Sequence, residues 1–128
     1  MLSLITKFGF KYGDSVLLIN PPPEYLEDLR NSDVSLLIST RGDSGSPFDA
    51  IQIFVLNQLD IMELAPAAPA VLKKNGNLWF SFPSRKAGKP SDIDFDTSWK
   101  IMTDSGWVVA QVTSQLSGWS SLRFTELD

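Results

Sequence analysis

The fold is decided by residues 13–23, which read GDSVLLINPPP. A glycine and an aspartate lead into four consecutive aliphatic residues, Val16 to Ile19. An uninterrupted aliphatic run is typical of a strand covered on both faces, the usual state in a parallel sheet flanked by helices. The run is also far too short to cross a bilayer or to form the core of a signal peptide. The stretch therefore predicts a buried strand.

Two further aliphatic runs repeat the pattern of this strand. They are Val34 to Ile38 and Ala50 to Val55. The first connection contains a short helical piece from Pro22 to Leu29, and the second is a polar, glycine-rich loop from Thr40 to Pro47. Strands joined in this way indicate βαβ units, so we expect the strands to be parallel.

The middle of the chain continues the alternation. Apolar residues keep a helical period from Gln58 to Lys74, and Pro66 and Pro69 predict that this helix is bent or divided into two pieces. Asn75-Gly76 is predicted to end the helix. The apolar run from Leu78 to Phe82 then predicts a fourth strand.

The last third of the chain is predicted to contain a helix and a hairpin. Ser91 is expected to cap a long helix that Gly106 ends, with a buried stripe formed by Phe95, Trp99 and Met102. The segments from Trp107 to Leu116 and from Trp119 to Leu127 flank Ser117-Gly118 and predict an antiparallel hairpin at the sheet edge. The whole pattern predicts a three-layer α/β/α sandwich with a Rossmann-like, mostly parallel sheet.

Composition narrows the classes of function. The 128 residues fit one domain spanning residues 1–128, and 43% hydrophobic residues with 20% charged residues indicate a chain that folds on its own. The chain has no cysteine, which excludes thiolate chemistry and agrees with a cytoplasmic location outside any membrane. The net charge of −4 opposes the phosphate backbone, so nucleic acid is not an expected partner. The absence of histidine removes the commonest general base, and we predict no catalytic residue and no cofactor.

The acidic segment from Asp92 to Asp96 has the spacing of a calcium loop. It lacks the glycine that such a loop needs, at Thr97, and the bidentate acid, at Thr103. Acids at a helix start also complement the helix dipole. We therefore predict no metal site.

Several segments resemble the class I S-adenosylmethionine methyltransferases. They are KFGFKYGDSVLLIN, PFDAIQIFVLN, LKKNGNLWFSFP and DSGWVVAQV. The resemblance implies a Rossmann-like, methyltransferase-like fold from which one strand and one helix are deleted. In more detail, FPSRKAGKPSDID and GWSSLRF resemble a family of small bacterial proteins known as a domain of unknown function.

The chain departs from the methyltransferase pattern at both of the expected cofactor anchors. After the first strand, where the family has an acid and a glycine-rich turn, this chain has Leu18, Ile19, Asn20 and then the prolines 21–23. Proline has no amide donor, so this turn cannot form the amide-lined nest of a cofactor loop. The acid expected after the second strand is replaced by Ser39-Thr40. These departures favour, as the main interpretation, a non-catalytic module that binds a ligand or a protein.

Two alternatives remain open. In the first, an enzyme or a binder of a small anionic or nucleotide ligand uses an altered loop, with Asn20, Tyr25, Asn57 and Lys86 converging at the carboxyl ends of the strands. Arg85, Lys86 and Lys89 form a cationic loop that could bind an anion there, although such loops are usually only solvated. In the second, the hairpin containing Trp119 and Arg123 joins two copies into a structural homodimer.

Overall fold

The computed structural model describes residues 7–32, 34–41, 47–84, 92–94, 97–116 and 118–127. Within these residues the strands are β1 (Ser15–Ile19), β2 (Leu37–Ser39), β3 (Phe48–Phe54), β4 (Leu72–Pro83), β5 (Trp107–Leu116) and β6 (Trp119–Glu126). The helices are α1 (Pro23–Arg30), α2 (Gln58–Leu64), a 3-10 helix, η1 (Ala65–Val71), and α3 (Lys100–Thr103).

The strands form one sheet in the order β2-β1-β3-β4-β6-β5. Strands β2, β1, β3 and β4 are parallel, and β6 pairs antiparallel with both β4 and β5. The predicted fold class is therefore confirmed, including the antiparallel hairpin at the edge. Because the chain moves from β1 outward to β2 and then to β3 on the other side of β1, the direction of winding reverses between β1 and β3. This reversal defines a switch point, where open α/β sheets bind their ligands.

The core lies on both faces of the sheet, as the uninterrupted aliphatic runs predict. Side chains of β3 alternate between the two faces, so that Ala50 and Phe54 pack beneath α1 while Ile51 and Ile53 pack beneath α2 and η1. The α1 face is aromatic, with Phe8 edge-on to Trp79 at a centroid distance of 4.9 Å. The two helical layers and the sheet make the predicted sandwich.

Two predicted elements have different bounds in the structure. The helical period from Gln58 ends at Leu64, and the proline-containing residues continue as η1 because proline removes the i→i−4 hydrogen bonds of an α-helix. Strand β4 then begins at Leu72, so Asn75-Gly76 does not end a helix but lies where the register between β3 and β4 shifts. Gly76 is required there because a Cβ would lie 2.9 Å from the carbonyl oxygen of Asp49.

The predicted long helix before Gly106 is represented, in the described residues, by the single turn α3. Trp99 and Met102 are buried as predicted. Ser91 and Phe95 lie outside the described residues. The strand predicted from Val34 is also shorter, because only Leu37–Ser39 pairs with β1.

The amino ends of three strands are joined by the carboxylate of Asp49. It accepts hydrogen bonds from the backbone amide of Ser15 at 2.9 Å and from the Ser15 hydroxyl at 3.2 Å, and it pairs with Lys73 Nζ at 3.0 Å. The Ser15 amide, followed by Lys73, lowers the pKa of Asp49 below its ordinary value. These charges therefore stabilise the amino-terminal ends of the strands, which lie opposite the switch point.

Over the described part of the chain, no helix has the length and apolar character needed to cross a membrane.

Candidate ligand-binding cleft

A cleft of about 380 Å³ opens at the switch point, between the carboxyl ends of β1 and β3. Its size lies within the range of small-molecule sites. Its described lining residues come from the turn after β1, the end of β3, the start of α2 and the start of β6; they are Asn20, Pro22, Phe54, Leu56, Asp60 and Trp119. The cleft therefore gathers side chains from four separate parts of the chain.

The turn after β1 forms one wall. Asn20 has φ 56, the left-handed conformation that glycine normally supplies and that asparagine tolerates better than most residues. Pro22 is the N-cap of α1 and its carbonyl oxygen accepts the Leu26 amide at 3.1 Å. The turn thus has a left-handed residue directly after β1, although prolines 21–23 offer no amide donors to a ligand.

The loop after β3 forms the opposite wall, and local capping holds it. The side-chain oxygen of Asn57 accepts the Asp60 amide at 2.9 Å, and Asp60 Oδ2 accepts the Leu56 amide at 2.8 Å. This arrangement is similar to a capping box at the start of α2, except that the Asp60 side chain accepts the amide of the residue before the N-cap. It places the carboxylate of Asp60 at the cleft and occupies the Asn57 oxygen, so Asn57 shapes the wall rather than lining it.

Tyr25 does not reach the cleft. Its side chain is only 4% exposed, and its hydroxyl donates a hydrogen bond to Gln52 Oε1. The ring packs edge-on against Phe54 at a centroid distance of 5.2 Å. Burial raises the pKa of the Tyr25 hydroxyl, and the bond to Gln52 opposes this by a smaller amount. The position predicted for Tyr25 is therefore corrected: it faces the core because α1 turns its apolar side to the sheet.

Tyr25 begins a buried chain of polar side chains beneath α1. Gln52 Nε2 donates to Ser81 Oγ at 2.9 Å, and Ser81 Oγ lies 2.7 Å from Ser121 Oγ in a hydrogen bond that either hydroxyl can donate. All four side chains are buried. These hydrogen bonds connect α1 to β3, β4 and β6, and of these strands β3 and β6 contribute residues to the lining of the cleft. Sequence reasoning missed it, although a glutamine inside an aliphatic run and a serine inside an aromatic strand were the available signals.

Trp119 lies at the cleft, where it packs edge-on against Phe54 at 5.1 Å. Its side chain is partly buried in the aromatic core of the α1 face. Arg123 Nε donates to Gln111 Oε1 at 3.4 Å across the hairpin. Both side chains thus contact their own chain, and the homodimer stays a prediction.

Three of the predicted residues, Arg85, Lys86 and Lys89, lie outside the described residues. In sequence they follow Pro83, the last residue of β4. The carboxyl end of β4 is on the same side of the sheet as the cleft. Of the predicted ligand-binding residues, Asn20 alone is placed at the cleft among those the structure describes. Within the described ranges, no group of three or more acidic side chains is placed to hold a metal ion.

Several solved structures with a similar fold are methyltransferases. A ribosomal protein L11 methylase from Lactobacillus delbrueckii subsp. bulgaricus has a TM-score of 0.59 and 12% identity, over 91% of this chain and 71% of the other. The glycopeptide N-methyltransferase MtfA complexed with S-adenosyl-L-homocysteine has a TM-score of 0.58 and 11% identity, over 94% and 86%. Magnesium protoporphyrin IX methyltransferase (ChlM) from Synechocystis PCC 6803 with bound SAM has a TM-score of 0.57 and 12% identity, over 95% and 74%.

This likeness establishes the Rossmann-like methyltransferase fold. The chain matches no family model, and no curated protein matches it. The main interpretation, a non-catalytic module, is wrong, because these structural neighbours are methyltransferases. They favour the methyltransferase-like alternative. That interpretation rested on the missing glycines; the structure has Asn20 in the left-handed conformation at this turn and a cleft beside it.

Proposed function

We propose that this protein is a methyltransferase-like enzyme that binds an S-adenosyl compound in the cleft between β1 and β3. The observation that carries the proposal is the cleft itself, which lies at the topological switch point of the fold. The neighbours add support, because MtfA and ChlM are described as complexes with S-adenosyl-L-homocysteine and SAM.

The residues that line the cleft fit an adenosyl compound, but they would bind it through side chains and not through the backbone amides of a glycine-rich loop. Trp119 provides an aromatic surface for a flat or apolar group, with the buried ring of Phe54 supporting it from the core, and Leu56 and Pro22 extend the apolar surface. Asn20 and Asp60 supply polar atoms, the amide as donor and acceptor and the carboxylate as acceptor. When bound, S-adenosylmethionine supplies an electrophilic methyl group on a sulfonium. The chain's own contribution is to bind and orient the ligand and to exclude water from the apolar walls.

A variant that fills the cleft tests where the ligand binds. Leu56 is 53% exposed at the cleft, so Leu56→Trp adds volume there without disturbing the core. We expect this change to weaken the binding of S-adenosyl-L-homocysteine about tenfold or more, which is about 1.4 kcal/mol of binding free energy. Isothermal titration calorimetry on the full chain measures the dissociation constant directly.

The matched control is Leu59→Trp, since Leu59 is 60% exposed on α2 and does not line the cleft. We expect the control to bind as the native protein does. Equal binding by both variants would place the ligand elsewhere, and no binding by the native protein would show the proposal to be wrong.

Three finer predictions belong to the same proposal. They are a cytoplasmic location, membership in the family of small bacterial proteins that FPSRKAGKPSDID and GWSSLRF resemble, and pairing of two copies through the hairpin of β5 and β6. The edge position of β5 and its lack of charged residues support the last of these. Light scattering that found only monomer at high concentration would count against it.

A further inference from the structure

We propose that Asp60 makes the cleft selective for a ligand that carries a positive charge, an inference that rests on the proposed methyltransferase function. Among the described lining residues, Asp60 is the one with a charged side chain. Asn20 is polar and neutral, and Pro22, Phe54, Leu56 and Trp119 are apolar or aromatic. As far as the described residues line it, the cleft is therefore apolar apart from the amide of Asn20 and the carboxylate of Asp60.

The carboxylate of Asp60 is held in a fixed position. Oδ2 accepts the Leu56 amide at 2.8 Å, and the Asp60 amide is itself bound by the side chain of Asn57 at 2.9 Å. Neither of the ion pairs found among the described residues involves Asp60; they join Lys73 to Asp49 and Lys100 to Asp104. Its charge is thus oriented by the backbone and is not neutralised by a cation from the described part of the chain.

The surroundings of Asp60 strengthen its attraction for a cation. Asp60 is half-buried, and its apolar neighbours exclude part of the surrounding water, so its charge acts more strongly there than in bulk water. Trp119, which lines the cleft and is only partly buried, adds an aromatic ring whose quadrupole also favours a cation. An anion at the same place would be repelled by the carboxylate. Prolines 21–23 provide no amide donors that could offset this repulsion.

Two cations of methyl-transfer chemistry fit this description. One is the sulfonium of the methyl donor, and the other is a protonated amine on the methyl acceptor. Both present a positive charge beside an apolar body. In both cases Asp60 binds a cation. The experiment below decides whether that cation belongs to the methyl donor or to the methyl acceptor.

The test compares pairs of probes that differ in charge and only slightly in shape, by one methyl group in the adenosyl pair and by the charged end group in the phenyl pair. S-adenosylmethionine carries a sulfonium and S-adenosyl-L-homocysteine a neutral thioether, while 2-phenylethylamine and 3-phenylpropionate carry an ammonium and a carboxylate on the same aromatic body. Calorimetric titration of the full chain with each probe is repeated on Asp60→Asn, whose side-chain oxygen can still accept the Leu56 amide. Asp28→Asn is the control, because Asp28 is exposed on α1 and its replacement changes the net charge equally.

We expect the cationic member of at least one pair to bind about tenfold more tightly than its partner, a difference within reach of the attraction between two unlike charges about 4 Å apart at a partly solvated site. The preference should disappear in Asp60→Asn and persist in Asp28→Asn, with unchanged thermal melting showing that both variants fold. A preference within the adenosyl pair assigns the cation to the donor, and a preference within the phenyl pair assigns it to the acceptor.

The inference is overturned if neither pair shows a preference for the cation, or if the preference survives in Asp60→Asn. Failure of the proposed function looks different. If 2-phenylethylamine binds through Asp60 while neither adenosyl compound binds at all, the methyltransferase proposal is wrong and the charge selectivity of the cleft stands.

Discussion

Replacing Trp79 with alanine is expected to lower the free energy of unfolding by about 3 to 5 kcal/mol, the range for removing a large aromatic side chain from a core. Trp79 is 1% exposed in β4 and contacts Phe8 edge-on. Its indole Nε1 donates to the carbonyl oxygen of Phe8 at 3.0 Å, which attaches the segment before β1 to the sheet. Because domains of this kind have about 5 to 15 kcal/mol of stability, urea denaturation should show a large fall in the midpoint.

A matched pair of variants separates the hydrogen bond of Trp79 from its packing. Trp79→Phe and Trp99→Phe remove the same atoms from buried positions, but Nε1 of Trp99 has no hydrogen-bond partner among the described residues. We expect Trp79→Phe to cost about 1 to 3 kcal/mol more than Trp99→Phe, because it leaves a buried carbonyl without its donor. Equal costs would mean that the bond to Phe8 contributes nothing to stability.

The second large effect is expected at Gln52. Gln52→Leu keeps the approximate shape of a side chain that is fully buried, but it removes the acceptor of the Tyr25 hydroxyl and the donor to Ser81. The buried Tyr25 hydroxyl is then left without a partner, which costs about 1 to 3 kcal/mol, while Ser81 keeps its hydrogen bond to Ser121. Urea denaturation should therefore show a marked loss of stability, even though the substitution makes the core more apolar.

The double variant Tyr25→Phe with Gln52→Leu provides the control for this second effect. It removes both partners of one hydrogen bond, which can be nearly neutral because no buried hydroxyl is left unsatisfied. We expect its loss of stability to be smaller than the sum of the two single losses by about 1 kcal/mol or more, within the range measured for residues in contact. Additive losses would contradict a working hydrogen bond between Tyr25 and Gln52.

The sequence predicts the sheet well because its strongest signals are local. The aliphatic runs give β1 and β3, and Ser117-Gly118 between two apolar segments gives the hairpin of β5 and β6. The helices are predicted less well, because propensity competes with tertiary constraints. Prolines 66 and 69 force a 3-10 helix where the apolar period continues, and Asn75 with its φ of 65 lies inside a strand because β4 must pass a register shift.

The candidate site is predicted only in part, because its geometry depends on how distant segments meet. Asn20 is found from the end of an aliphatic run, but Asp60 and Trp119 lie 40 and more residues further along the chain and join it only once the sheet has formed. The misplacement of Tyr25 has a simple cause. It lies three residues after Pro22, one helical turn away, where the side chain points back to the sheet instead of along the cleft.

The measurement that tests the central claim most directly is a ¹H–¹⁵N spectrum of the full chain titrated with S-adenosyl-L-homocysteine. If the ligand binds at the switch point, the amide signals of Asn20, Leu56 and Asp60 and the indole signal of Trp119 should shift and saturate together. Signals from the opposite edge of the sheet, such as Lys74 and Gly76, should not move. A titration that leaves the cleft signals unchanged, or that moves only those of the opposite edge, would contradict the account.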